Sequence, residues 1–186
     1  DGIDLAQFDF QPDPDDYLIY FGRMHQDKGV REAVEIARAC GKKLILAGIV
    51  QDRNYFDHHV APHLNKDRIT YIGSVGPVER NRLLGKARAL LHPIKFNEPF
   101  GLSVIEAMAC GTPVIAFDRG SMPELIENGQ NGFLVNTVDE AIKAVEHIEK
   151  IDRAACRCHI EGHFTVTRMV DEYINVYERI IREIQL

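Results

Sequence analysis

Short apolar segments alternate with helical segments along nearly the whole chain, and this alternation most restricts the possible fold. The apolar segments are continuous and do not alternate with polar residues, which indicates strands buried on both faces. Buried strands that are separated by helices form a parallel sheet covered on both sides. We therefore predict an α/β fold: a Rossmann-like, doubly wound parallel sheet with helices on both faces and further helices at the C-terminal end.

The predicted elements follow from the same pattern. The strands span residues 17–22, 44–48, 69–73, 89–92, 113–117 and 132–135. The helices span 30–40, 55–64, 78–86, 101–110 and 123–127, and the chain is helical again from residue 152. The last helix spans 167–185, and its apolar stripe consists of Met169, Tyr173, Val176, Tyr177 and Ile180. Ser121 with Glu124, and Thr137 with Glu140, have the spacing of capping boxes, which gives Glu124 a mainly structural role.

Composition excludes several classes of function. The net charge of −6 and the pI near 5.7 argue against a nucleic-acid-binding protein, which usually has a basic surface. No apolar run has the length of a membrane span and no signal-peptide pattern is found, so membrane association is not indicated. The four cysteines are too few and too scattered for a disulfide scaffold. We expect a cytoplasmic protein with reduced thiols.

Unusual residues follow three of the predicted strands directly. Gly22-Arg23 follows the first strand, Gly73-Ser74-Val75 ends the third, and Asn97-Glu98-Pro99 lies after the fourth. Ligands of doubly wound sheets bind beyond the carboxyl ends of the strands. These three loops are therefore the expected place for a binding site.

The segment after the fourth strand has the features of an anion site. Gly101 begins a helix, so the backbone N–H groups of Gly101, Leu102 and Ser103 can approach an anion that the helix dipole favours. We expect Leu102, Ile105, Met108 and Ala109 to form the buried side of this helix. We place Ser103, Glu106 and Cys110 on a different face.

Two carboxylates flank this helix start. Glu98 lies in the loop before it, and Glu106 lies more than one turn inside the helix. Carboxylates are poorly suited to phosphate and well suited to hydroxyl groups. The arrangement therefore suggests a ligand with sugar hydroxyls at both ends of a diphosphate, which is the shape of a nucleotide-sugar.

The stretch from Glu98 to Ala116 resembles the signature of glycosyltransferase family 4, the "group 1" family of retaining enzymes with the two-domain GT-B architecture. Its hallmark is two glutamates separated by seven residues, as Glu98 and Glu106 are. The stretch from Phe21 to Gly29 is similar to the family's first loop, and the stretch from Tyr71 to Val75 is similar to the segment that contacts the base. The resemblance covers nearly the whole chain.

The resemblance implies roles for particular residues. Glu98 would contact the transferred sugar, Glu106 the ribose, and Arg23 and Lys28 the donor diphosphate, which makes Glu98, Arg23 and Lys28 the expected catalytic residues. Glu98 would orient the sugar and is not assigned as a general base. The complete donor site that we expect comprises Gly22, Arg23, Lys28, Gly73, Val75, Glu98, Phe100, Gly101, Leu102, Ser103 and Glu106.

The resemblance also implies what surrounds this site. Residues 1–186 would be one nucleotide-sugar-binding domain, the C-terminal half of a GT-B enzyme whose N-terminal half holds an acceptor of unknown identity. Transfer would proceed with retention and without a cofactor or metal ion. This half alone would bind the donor weakly and transfer little or nothing, and the last helix would pack toward the N-terminal half.

Two other functions are compatible with the same residues. One is a non-catalytic nucleotide-binding module. The other is half of a sugar-nucleotide epimerase, although the further catalytic carboxylates and the histidine that this needs are not found at matching places. Cys156, His159 and His163 have a spacing that permits a metal site, but they lack the paired ligand clusters of structural zinc modules, and we expect none.

Overall fold

The computed structural model describes residues 1–184, in which six strands form a single sheet in the order β3-β2-β1-β4-β5-β6. All neighbouring strands are parallel. The strands are β1 (Tyr17–Phe21), β2 (Lys43–Ala47), β3 (Ile69–Gly73), β4 (Ala89–His92), β5 (Val114–Phe117) and β6 (Gly132–Val135). The predicted doubly wound α/β fold is confirmed.

The helices pack around this sheet in two groups. They are α1 (Val30–Ala39), α2 (Arg53–His59), α3 (Pro77–Lys86), α4 (Leu102–Ala109), α5 (Met122–Leu125), α6 (Val138–His147), α7 (Arg153–His163) and α8 (Val166–Ile184). Helix α1 packs against α6, whereas α4 packs against α3 and α7. The chain thus covers the sheet in the manner that its uninterrupted apolar strands require.

The strand order places a crevice at the centre of the sheet. The chain runs from β1 outward to β3, returns to the other side of β1 as β4, and continues to β6. The loops after β1 and β4 therefore leave adjacent strands in opposite directions. This reversal is the point at which doubly wound folds bind their ligands.

The central strands carry the core that fixes these two loops. Leu18 and Ile19 of β1 and Leu90 and Leu91 of β4 are fully buried, with at most 1% of their surface exposed. Ile19 lies opposite Leu90 in the register of the two strands. Burial of such side chains stabilises the fold by about 2 kcal/mol each, so the ends of β1 and β4 are firmly positioned.

One predicted helix is interrupted in the structure, and the helical region predicted from residue 152 has a break before its last helix, which is predicted over 167–185 and is α8. The helix predicted over 55–64 is α2 followed by a separate 3-10 turn, Ala61–His63, because Pro62 lacks the N–H group that a continuing helix needs. The chain from residue 152 forms α7 and α8 with a break between them. At this break Ile3 N donates to Phe164 O at 2.9 Å, and Val166 N donates to Ile3 O at 3.1 Å.

Helix α8 is exposed along its described length. Its apolar residues include Tyr173, Val176, Tyr177 and Ile180 of the predicted stripe, and none of its residues is buried. The predicted end of this helix, Gln185, lies outside the described residues. Across residues 1–184, no helix has both the length and the apolar character that crossing a bilayer requires.

One of the two predicted capping boxes is wrong. Thr137 Oγ1 accepts from Glu140 N at 3.2 Å, as expected. Ser121 instead donates its hydroxyl to Phe100 O at 2.8 Å and makes no side-chain cap to α5. The Ser121 hydroxyl bonds to the Phe100 carbonyl because the loop before α4 packs directly on Ser121. The backbone N–H of Ser121 also donates to Glu98 O in this loop, at 2.9 Å.

Arg153 connects the C-terminal helices to the rest of the fold. Its guanidinium group is buried and donates to the carbonyl oxygens of Gln11, Gly85 and Ala87 and to Thr112 Oγ1, at 2.6 to 3.0 Å. Burial is the main cause that lowers the pKa of Arg153. These hydrogen bonds satisfy a charge that would otherwise be costly to bury.

Candidate functional site

The crevice beyond β1 and β4 contains a cavity of about 520 Å³. Of the eleven predicted donor-site residues, nine line this cavity: Gly22, Arg23, Lys28, Glu98, Phe100, Gly101, Leu102, Ser103 and Glu106. The remaining two, Gly73 and Val75, lie outside its lining. The lining also includes six residues outside the predicted donor site: Asp1, Tyr20, Phe21, Arg80, His92 and Pro99.

A larger cavity, of about 620 Å³, lies elsewhere in the fold. It is lined by Pro12, Pro14, Pro113 and Ile148, and none of the predicted site residues borders it. Pro113 precedes β5, so this cavity lies toward the amino ends of the strands. Parallel sheets bind ligands at the opposite ends, and the smaller cavity is therefore the candidate functional site.

The start of α4 forms one wall of the candidate site. Gly101 has φ +94°, a conformation that favours glycine, and a Cβ at this position would lie 2.6 Å from Met122 Cε. No side chain caps the helix. The N–H groups of its first turn, at Leu102 and Ser103, therefore remain available to an anion.

The buried side of α4 differs from the expected one at its first residue. Leu102 is 55% exposed and lines the cavity, whereas Val104 is fully buried. Cys110, placed on the face of Glu106 by the sequence pattern, is also buried. Because Leu102 is the first residue of the helix, its side chain extends from the helix end into the crevice and does not pack in the hydrophobic core.

Glu98 and Lys28 form an ion pair across the cavity. Lys28 Nζ lies 2.6 Å from Glu98 Oε2, and the two side chains are only 17% and 13% exposed. The ammonium group also lies 4.5 Å from the centre of the Phe96 ring. The pair joins the loop after β1 to the loop after β4, and Lys95 N strengthens this connection by donating to Asp27 O at 2.8 Å.

A glycine allows the Lys28 loop to approach β4. Gly29 has φ +70°, and a Cβ there would overlap the carbonyl oxygen of Pro93. Lys28 belongs to a 3-10 turn, Gln26–Lys28, which ends at this glycine. The position of Lys28 in the cavity therefore depends on a backbone conformation that other residues rarely adopt.

Arg23 projects toward a different partner. Its Nη1 donates to Gln51 Oε1 at 2.6 Å, and its backbone carbonyl accepts from Tyr20 Oη at 2.8 Å. Gly22, immediately before it, packs closely against Gly48. The guanidinium group thus lines the cavity without an acidic partner among residues 1–184.

Glu106 has a cationic partner that the sequence analysis missed. Arg80 Nη1 of α3 donates to Glu106 Oε1 at 2.9 Å, and both side chains are largely buried. Burial, the larger cause, raises the pKa of Glu106, while the charge of Arg80 lowers it. In the sequence, Arg80 lies within a charged helical segment that is typical of a solvated surface, and no local signal relates it to Glu106.

His92 ends β4 beside the Lys28–Glu98 pair. The imidazole lines the cavity but is buried, and its Nε2 has no hydrogen-bond partner within residues 1–184. Burial, assisted by the nearby charge of Lys28, lowers the pKa of His92 to about 3. His92 is therefore a neutral group in the candidate site at physiological pH.

The C-terminal cysteine and histidines lie in another part of the fold. Cys156 is buried with Sγ 3.5 Å from Asn131 O, and His159 Nδ1 lies 3.5 Å from Glu127 Oε1. Nowhere in the described chain do three or more His, Cys, Asp or Glu side chains form a group that could hold a metal ion.

A doubly wound α/β sheet with an uncapped helix start in its central crevice has the architecture found in nucleotide-binding domains. Comparison with known proteins identifies the family within this class. A family model described as glycosyl transferases group 1 matches residues 4–160. The chain belongs to this family.

Individual relatives agree with the family match. Over 141 residues the chain is 30% identical to glycogen synthase of Mycobacterium tuberculosis, an overlap covering 70% of this chain and 34% of that protein. It is 31% identical over 136 residues to spore coat protein SA of Bacillus subtilis, covering 68% and 36%. The chain thus spans less than half the length of these curated relatives.

Solved structures show the same fold. The structure of AviGT4, a glycosyltransferase involved in avilamycin A biosynthesis, matches 97% of this chain and 57% of its own, with a TM-score of 0.83 and 26% identity. Anabaena HepE, crystallised with UDP and glucose, matches 96% of this chain and 55% of its own, with a TM-score of 0.81 and 20% identity.

Proposed function

We propose that this chain binds the nucleoside-diphosphate sugar for a retaining, metal-independent glycosyl transfer, and that a separate N-terminal domain holds the acceptor. The observation that carries the proposal is the position of Glu98 and Glu106 on either side of the uncapped start of α4, within one cavity. A ligand with a diphosphate at the helix start would place its sugar at one carboxylate and its ribose at the other.

The diphosphate would be held by backbone and side-chain donors together. The N–H groups at Leu102 and Ser103 supply the helix end, while Arg23 and Lys28 supply positive charge in the same cavity. Departure of the nucleoside diphosphate increases negative charge on its phosphates, and donors fixed in advance lower the barrier to that step. These two cations would perform the task that a divalent metal performs elsewhere.

Glu98 would orient the transferred sugar. Its Oε2 accepts from Lys28, which is the hydrogen bond that the described residues give this carboxylate, so Oε1 can accept from a sugar hydroxyl. Because Lys28 holds the carboxylate, the sugar would meet an acceptor that is already in position. Positioning of this kind is a recognised source of rate enhancement.

The relatives support a nucleotide-sugar ligand and a second domain. HepE was crystallised with UDP and glucose, and the chain spans 57% or less of the two solved chains described above. The exposed apolar residues of α8 are consistent with a covering domain in the intact protein. The acceptor and the stereochemistry of transfer are properties of the intact protein. Retention is tested there by determining the anomeric configuration of the product.

The proposal is tested by calorimetric titration of the chain with UDP, GDP and ADP and with their glucose conjugates. At least one diphosphate should bind, with its sugar conjugate binding more tightly. In Glu98→Gln, loss of the anionic acceptor should weaken binding of the sugar conjugate by about tenfold. The diphosphate should bind as before or more tightly, because Lys28 is released from its ion pair with Glu98. Arg23→Ala should weaken both ligands.

The exposed Glu124→Gln variant is the matched control, because it removes one carboxylate outside the cavity. Failure of every nucleotide to bind wild-type protein would refute the proposed site. Equal weakening of the diphosphate and its conjugate in Glu98→Gln would favour a non-catalytic nucleotide-binding module. Conversion of the sugar to its epimer without an acceptor would favour an epimerase.

A further inference from the structure

We propose that Arg80 is a positioning residue that holds Glu106 as a fixed, ionised acceptor for the vicinal hydroxyls of a ribose, so that the site selects ribonucleotides over deoxyribonucleotides. The inference rests on the proposed function, since it takes the ligand to be a nucleoside diphosphate. It adds a residue on α3 to a site otherwise formed by loops after β1 and β4 and by α4.

The geometry orients the carboxylate. Arg80 Nη1 donates to Oε1 of Glu106 at 2.9 Å, and this is the hydrogen bond that the described residues give the carboxylate, so Oε2 accepts none from them. Because Glu106 lines the cavity, this second oxygen is the one left to a ligand. A single bond to one oxygen thus fixes the side chain without occupying its full acceptor capacity.

Arg80 is itself held in place. Its guanidinium carbon lies 5.0 Å from the centre of the Phe8 ring, a cation–π arrangement that limits its freedom. Its Nε is buried and has no hydrogen-bond partner among the described residues. An arginine kept solely for stability would normally satisfy its buried donors, as Arg153 does through its three nitrogens.

The charge of Arg80 matters because Glu106 is largely desolvated. Burial raises the pKa of this carboxyl, and Arg80 is the cation that opposes the increase. A protonated carboxyl is a much weaker acceptor for two hydroxyls than a carboxylate. The other titratable groups lining the cavity or lying on the helices packed against α4 include Asp1, Arg23, Lys28, His92, Glu98, Cys110 and Arg157.

The test compares UDP with 2′-deoxy-UDP by calorimetry, with GDP and ADP and their 2′-deoxy forms as alternative probes. Wild-type protein should prefer the ribonucleotide by about tenfold. In Arg80→Leu this preference should fall to about twofold or less, whereas Arg80→Lys should retain most of it because a cation remains. Glu106→Gln should lose the preference as well, and the double variant should lose no more than either single one.

Two controls separate positioning from stability. Arg82→Leu removes an arginine from the exposed side of the same helix, where it pairs with Glu79, and should keep the wild-type preference. In Arg80→Leu the preference should recover as the pH rises, because burial raises the pKa of Glu106 and alkaline conditions ionise it without the help of Arg80. A loss of structure alone would weaken both nucleotides together and would show no such recovery.

The outcomes distinguish this inference from the function on which it rests. If no ribonucleotide binds wild-type protein, both fail. If Glu106→Gln loses the preference while Arg80→Leu keeps it, the nucleotide site stands and the role of Arg80 is refuted. If Arg80→Leu unfolds, Arg80→Lys decides, because a folded lysine variant without any preference would contradict the proposed role of positive charge.

Discussion

The buried imidazole of His92 should make this protein sensitive to acid in a way that one substitution removes. In the folded state its pKa is about 3, because the ring is buried and Lys28 lies nearby. In the unfolded chain a histidine titrates near 6.5. Below that pH the histidine is protonated in the unfolded state but stays neutral in the folded state, so the free energy of unfolding falls as the pH falls.

The magnitude follows from the separation of the two pKa values. Each pH unit within that interval corresponds to about 1.4 kcal/mol. Lowering the pH from about 7 to about 5 should therefore remove about 2 kcal/mol of stability through His92 alone, and the contribution should continue to fall until the pH nears 3. This loss is a large share of the stability of an ordinary domain.

Urea unfolding at pH 7 and pH 5, at constant ionic strength, measures this contribution. Other groups also titrate in this range, so the quantity of interest is the difference between wild type and His92→Gln. That difference should shift by about 2 kcal/mol in favour of the variant at the lower pH. The exposed His147→Gln controls for the loss of a histidine from the chain.

A shift of less than about 0.5 kcal/mol would refute the reasoning, because His92 would then take up its proton equally well in both states. The result also bears on the candidate site. If His92 stays neutral, the positive charge presented to a phosphate near neutral pH comes from Arg23 and Lys28. Nucleotide affinity should then be little affected by protonation of this histidine.

Two further predictions concern the framework around the site. Gly29→Ala should lower the free energy of unfolding by at least about 2 kcal/mol, since alanine disfavours φ +70° and its Cβ would overlap the Pro93 carbonyl. Urea unfolding measures this loss, and a fully stable variant with unchanged nucleotide binding would contradict the prediction. Arg153→Met should cost about 3 to 5 kcal/mol, because three carbonyl oxygens lose their donor, two of them in buried hydrogen bonds. A change below about 1 kcal/mol would show that water replaces the guanidinium group there.

The positions of the strands were available from the sequence because each contains a continuous apolar run. For example, the run that begins at Tyr17 predicted β1, and Leu44 lies in the run that predicted β2. Helix ends were less predictable where distant chain segments compete for hydrogen bonds. The break at Thr165 arises from its pairing with Ile3, and Ser121 bonds to the Phe100 carbonyl, which no local spacing reveals.

By itself, the sequence determined the sheet, the family and the loops that meet in the crevice, because apolar periodicity and the motif around Glu98 and Glu106 are local properties of the chain. Only the tertiary structure decided which cations pair with these carboxylates. Lys28 and Arg80 are each brought to their partners by crossovers within the sheet, across sequence separations of 70 and 26 residues. Ion pairing depends on distance and burial, and the folded arrangement of the strands sets both.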